Sequence, residues 1–247
     1  MAKTAGLGDG FLAGGYDISG DTQSIGSVHG GPAKVIDQTD ITQSAHERAG
    51  GQRDGGISWT SYFDTAAGRA HAALSGLATT ATVLTYLRGQ VLGNPAACLN
   101  ARQVGYDPDR ANDGSLTLKV EGAGDGDGLE WGLQLTDGVR TDTAAADGTS
   151  HDGGASTAYG AQAYLQVTAF TGTDVTVKVQ HSTDNATWAD LITFAQTTAA
   201  HTFGRSSVAN TATVDRYVRA VTVTTGGFTS VSFAVVFCRN PVAGVVF

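Results

Sequence analysis

Glu121, Asp125, Asp127 and Glu130 crowd into the run EGAGDGDGLEW, a density of hard oxygen donors of the kind a calcium ion takes. A twelve-residue calcium loop counted from Asp125 puts Thr136 where the motif needs a bidentate Glu. A second run, YDPDRANDG, offers Asp107, Asp109 and Asp113 at no better spacing. Both runs also read as hairpin turns, in which Asp-Gly supplies the positive φ of a tight connection. A weak calcium site and a plain turn stay open as alternatives.

Other chemistry is harder to find. The nucleophile-elbow pattern G-x-S-x-G, H-E-x-x-H, a phosphate-binding P-loop, G-x-G-x-x-G after a strand and C-x-x-C are all absent. The six histidines, His29, His46, His71, His151, His181 and His201, never fall at metal-ligand spacing and read as solvated or structural. Cys98 and Cys238 stand far apart, which makes neither a disulfide framework nor a metal site. Asn185-Ala186-Thr187 is a glycosylation sequon, idle in a cytosolic chain. The reading is therefore a non-enzyme with no catalytic, cofactor-binding or metal-binding residues. The enzymatic alternative is a hydrolase in the Asp-rich loops, which needs two carboxylates about 5 to 9.5 Å apart across a cleft.

Composition sets what must position any such residues. With 247 residues, 41% of them hydrophobic, 34 Gly and only 4 Pro, the chain suits short strands joined by tight turns around a real core. Its net charge of −8 argues against a partner held by phosphate neutralisation. The N-terminus MAKTAGLGDGF lacks an apolar signal region, and no run is long and apolar enough to span a membrane. The expectation is a protein made in cytoplasm.

Residues 137–156, DGVRTDTAAADGTSHDGGAS, are poor in large apolar groups and read as a seam. The expected division is a first domain over 1–140, a linker over 141–155 and a second domain over 156–247. Up to Arg140 the chain holds 10 basic and 16 acidic residues, against 5 and 7 beyond it. In the second half, Val175, Val177 and Val179 alternate with polar residues, as do Val231, Phe233, Val235 and Phe237, so each strand should have one buried and one wet face. The fold class is mainly β: an α+β first domain with one flanking helix, then an antiparallel β-sandwich.

In the first half, Ala66, Ala70, Ala73, Leu74 and Leu77 lie on one stripe, which predicts a helix over 64–77 capped by Asp64 and weakened by Gly68. Residues 38–53 form a long polar stretch without periodicity, uncommon in a compact domain unless it has a task.

The order of these pieces, through VIDQTDITQSAHERAGGQRDGGISWTSYFDTAAGRAHAALSGLATTATVLTYLRG and on to DGSLTLKVEGAGDGDGLEWG, resembles the major tail (tail-tube) proteins of long-tailed bacteriophages, the siphophages. The likeness covers roughly residues 10–140 and continues into a C-terminal β-sandwich of a kind appended to phage tail subunits. It implies hexameric rings of identical copies, stacked into a tube through which the genome is ejected, in a virion tail assembled in the host cytoplasm. Its partners would be further copies, the tape measure and tail terminator proteins, and DNA that passes without specific binding.

On that resemblance the helix covers the outer side of a sheet whose other face lines the channel, and the 38–53 arm reaches the next ring through Glu47, Arg48 and Arg53. Those three also read as a solvated loop. Asp17, Asp21, Glu121, Asp125 and Asp127 are the candidates for charge in or around the lumen. The C-terminal sandwich would decorate the outside, where Trp188 and Tyr217 either meet host-surface glycans or pack in the core. Val242, Val245, Val246 and Phe247 should pack on a neighbour or back on their own domain. The competing reading is a capsid-decorating or glycan-binding virion protein.

Overall fold

The computed structural model describes residues 6–32, 34–76 and 80–242. The first half runs β1 (Gly10–Ala13), β2 (Tyr16–Asp17), β3 (Thr22–Pro32), β4 (Val35–Asp37), β5 (Arg48–Gly50), β6 (Arg53–Tyr62), α1 (Ala70–Leu74), β7 (Thr82–Leu87), β8 (Pro95–Arg110), β9 (Leu116–Gly124) and β10 (Glu130–Gln134). It is followed by β11 (Arg140–Asp142), β12 (His151–Asp152), β13 (Ala161–Gly172), β14 (Thr176–Ser182), β15 (Ala189–Thr193), β16 (Thr202–Ser207), β17 (Tyr217–Val223) and β18 (Phe228–Arg239). The chain is mainly β, and its sheets are antiparallel throughout.

Three apolar clusters hold it together. One lies in the first half, where Phe11, Ile57, Trp59, Leu99, Leu118 and Val120 pack between β3-β6-β9-β8 and β1-β7, with Ala70 and Leu74 of α1 closing the end. A second fills a sandwich in which β13 and β18 face the sheet β12-β17-β14-β15, and its centre is Val177, Val179, Phe233, Val235 and Phe237. The third contains Leu12, Cys98, Tyr164, Val236 and Cys238, residues from both halves.

That third cluster exists because a twelve-stranded sheet runs across the whole chain, eight of its strands in the order β16-β13-β18-β10-β8-β7-β1-β2, with β11 beside β18 and β9, β6 and β3 branching from β8. β10 bridges the halves, pairing Glu130 with Cys98 of β8 on one side and Leu133 with Phe237 of β18 on the other. The sheet rolls until its ends meet. Gln166 of β13 donates to Val83 O at 2.8 Å and accepts from Gly15 N at 2.6 Å, and the His201 ring stacks on Tyr16 with centroids 3.8 Å apart. β18 is therefore wet on one face only at its start, and Ala234, Val236 and Cys238 are buried against the inside of the roll. The stretch read as a linker carries part of β11, laid on β18, and all of β12, laid on β17.

The helix is shorter than its stripe predicts. Gly68 sits at φ 76, a left-handed conformation that no α-helix can pass through, so the helical turn begins only at Ala70. Asp64 instead closes a local turn by accepting from Ala66 N at 2.9 Å. The anion at the start of α1 comes from far away in sequence: Asp21 accepts from Ala70 N at 2.9 Å and lies 3.7 Å from Arg69. Leu77 lies outside the described residues, as do Val245, Val246 and Phe247, whereas Val242 is exposed.

Candidate assembly surface

Within the large sheet, β3-β6-β9-β8 forms a four-stranded antiparallel unit with two open edges. β3 pairs only with β6. β8 pairs with β7 over its first half, up to Ala101, and beyond that point only with β9. Among the described residues, one whole edge of β3 and the second half of the outer edge of β8 have no strand beside them.

The two faces of this unit differ. Pairs such as Trp59–Val120 and Ile57–Val28 point into the first core. The opposite face presents Ser24 beside Thr60, Ser27 hydrogen-bonded to Ser58 at 2.9 Å, Gly105 beside Glu121, and Lys119 between Thr60 and Asp107. Its charged groups are Asp54, Asp107, Asp109 and Glu121 against Arg102 and Lys119, an acidic excess on a surface of mostly small side chains. Lys119 is tied to Asp109 at 2.9 Å.

The polar stretch 38–53 is the outer part of a long hairpin. β3 and β6 stay paired out to Pro32–Arg53, and β4 and β5 continue beyond them, with Asp37 opposite Arg48. Its tip is ordered by its own side chains. Thr39 Oγ1 accepts from Glu47 N at 2.9 Å, Asp40 accepts from Thr42 N at 2.8 Å, and His46 approaches Asp37 at 3.0 Å. Hydrogen bonds from Thr39 and Thr42 hold Asp37 and Asp40 below the usual carboxylate range. Val35, Ile36 and Ile41 are nonetheless exposed, Ile41 completely. The self-ordered projection therefore carries three exposed aliphatic side chains.

The residues singled out in the sequence scatter over this frame. Glu47 and Arg48 are exposed on the hairpin, Glu47 accepting from Gln43, and Arg53 donates back to Leu129 O at 3.4 Å. Of the lumen candidates, Glu121 lies on the polar face and Asp125 at its upper rim, paired with Arg102 at 2.8 Å. Asp17 is on β2, bonded to Ser19, and Asp21 is buried beneath α1. Asp127 turns to the inside of the roll, 3.4 Å from Arg205. That arginine also bonds Glu130 at 3.0 Å and the Tyr164 hydroxyl at 3.0 Å, and Tyr164 donates to Glu130 at 2.6 Å. Burial, and then the Glu130 charge, push the Tyr164 phenol far above its usual range.

In the C-terminal half, Trp188 is half-buried with the Arg219 guanidinium over its ring at 4.2 Å, and Tyr217 lies under Arg216 at 5.0 Å. Both rings thus have a cation of their own chain on them. The sequon residue Asn185 has φ 58, on a turn organised by Asp184, which accepts from Ala186 N and Thr187 N. Among the described residues, no group of three His, Cys, Asp or Glu is placed to hold a metal ion. No helix among them is long and apolar enough to cross a membrane.

Sequence reading missed the open edges and the buried Arg205 network. The edges carry no local signal, because a strand's partners are chosen by topology. The network had one: FAVVFC and AACL are unbroken apolar runs, which mark strands buried on both faces.

No protein-family model matches the chain, and no curated protein matches it. Among solved structures it is similar to the SPP1 Dit protein, described as a paradigm of the hub adsorption apparatus in phages that infect Gram-positive bacteria. The identity is 10%, the alignment covers 94% of this chain and 99% of that one, and the TM-score is 0.33.

Proposed function

We propose that the chain is a structural subunit of a phage tail, and that copies close into rings which stack as a tail tube. The observation that carries this reading is the pair of open edges on the β3-β6-β9-β8 unit. Going across it, β3, β6, β9 and β8 alternate in direction, so the free edge of β8 in one copy is antiparallel to the free edge of β3 in a copy rotated about an axis along the strands. Repetition gives a continuous antiparallel barrel without edges, which removes the hazard that exposed edges otherwise pose.

In such a ring the polar face looks inward and the apolar face keeps its core outside. Small side chains and an acidic excess suit a bore through which a duplex must pass without adhering, since like charges repel and no counterions are released. The hairpin tip, with its three exposed aliphatics, projects along the strand direction and so toward the ring above or below. The C-terminal sandwich, joined through β10 and β18, sits on the outer wall. Six copies per ring, and contacts with tape measure and terminator proteins, are what the resemblance to siphophage tail-tube proteins implies.

Electron microscopy of the purified full chain tests the proposal. Tubes of uniform diameter with an axial bore, whose wall contains β3 beside β8 of the neighbour, are the expected result. A protein that stays monomeric at all concentrations and salt conditions, or a bore lined by lysine and arginine, overturns it.

A further inference from the structure

A groove of about 300 Å³ opens beside the free edge of β3, between that strand and β1, lined among others by Asp9, Phe11, Ser19, Gln23, Ile25 and Arg88. Asp9 accepts from the Tyr86 hydroxyl at 2.5 Å, from Gly89 N at 2.8 Å and from Arg88 at 3.0 Å. Asp17 adjoins the groove through Ser19, which lines it and which is the one group bonded to Asp17 among the described residues. Asp9 and Arg88 are thus paired with each other, and Asp17 beside them has no ion pair among the described residues.

At the far end of the β8–β9 hairpin the charge is opposite. Arg110 is exposed and makes no hydrogen bond or ion pair among the described residues. It pairs with Leu116, in the same alternation as Tyr106–Val120 and Pro108–Leu118, so its side chain is on the core-side face of the sheet. Thr22 at the start of β3, Ser61 near the end of β6, Leu118 and Pro108 form one level across the sheet. Arg110 is two residues beyond that level, at the end of the sheet where Thr22 and Ser19 border the groove.

We propose that the end of the β8–β9 hairpin of one copy seats in this groove on the next, with Arg110 as the cation that enters it and Asp17 as its counter-charge. The inference rests on the ring reading, and it adds which groups select the neighbour. Antiparallel pairing of β8 with the neighbour's β3 sets Pro108 opposite Thr22 of that copy and carries Arg110 just past it, to the end of the groove bordered by Ser19 and Thr22. The core-side direction of its side chain then points it into the groove and away from the bore.

Two variants test this in the full chain. Arg110→Glu should leave the thermal midpoint of the monomer unchanged and raise the concentration needed for tube formation at least about tenfold, because a like charge meets the groove. Adding Asp17→Arg should restore assembly. Separately, Asp107→Cys with Ser24→Cys, positions at one level of the sheet, should give a ladder of covalent oligomers when tubes are oxidised, since both native cysteines are buried and cannot compete. Wild-type tubes accompanied by an R110E variant that assembles at the same concentration overturn the inference and leave the ring reading standing, whereas oxidised D107C/S24C tubes without cross-links overturn the inference together with the β8–β3 pairing it uses. A wild-type chain that never assembles overturns both.

Discussion

Arg205 of β16 donates from Nη2 to Oε1 of Glu130 on β10 at 3.0 Å, a contact made across the inside of the rolled sheet between residues of different halves. Glu130 is only 4% exposed, and its other oxygen accepts from Tyr164. Replacing Arg205 by Met leaves this carboxylate buried without its cation, and an uncompensated buried charge costs about 3–5 kcal/mol. Denaturant unfolding of Arg205→Met should show a loss of that order. The double variant with Glu130→Gln should recover part of it, which a role confined to surface polarity would not produce.

Gly15 holds the seam where the roll closes. It has φ 81, and a Cβ there would lie 2.5 Å from the carbonyl carbon of His201. Gly15→Ala combines backbone strain with a clash against backbone that cannot rotate away, so about 1–3 kcal/mol should be lost. Gly126, also left-handed but with open space around it, is the control. Gly126→Ala should lower the thermal midpoint less.

Acid should weaken the C-terminal half at a defined pH. Backbone N–H groups of Thr187 and Ala186 hold Asp184 at about 2, and the Arg216 hydrogen bond holds Asp152 at about 2, both below the ordinary 3.8. A carboxylate depressed on folding contributes stability that is present above its unfolded pKa and disappears as pH falls through the folded one. Urea midpoints of the monomer should therefore fall between about pH 4 and pH 2. In Asp184→Asn that fall should be shallower.

The hairpin tip separates folding from assembly. Ile41 is fully exposed, so Ile41→Ser should change monomer stability by no more than about 0.5 kcal/mol. If the tip meets the adjacent ring, the same variant should shorten tubes or leave single rings in electron micrographs. Unchanged tube length would place the contact elsewhere.

The strand content and the core of the C-terminal sandwich could be read from sequence because alternation reports burial directly. Val177 and Val179 and the series from Val231 to Phe237 lie inward as their period requires. The helix was misjudged at its start, where one left-handed glycine outweighs five well-spaced apolar residues. The part Asp21 plays in the fold was not legible for a different reason. Its carboxylate serves a helix end 49 residues further on, and no local pattern announces such a cap. The polar stretch at 38–53 lacked periodicity because its short strands are exposed on both faces, leaving alternation nothing to report.

The bridging strand β10 has a bearing on how this chain could evolve or be engineered. A module hung on a tether can be exchanged by recombination within the tether, and loads applied to it merely swing it. Here the halves share backbone hydrogen bonds on both flanks of one five-residue strand, so a cassette swap at 141–155 would strip β18 of its neighbour and expose the thiol and phenol side chains behind it. Pulling on the C-terminal sandwich would load that strand directly, and the two halves should be inherited, and should yield mechanically, as one piece.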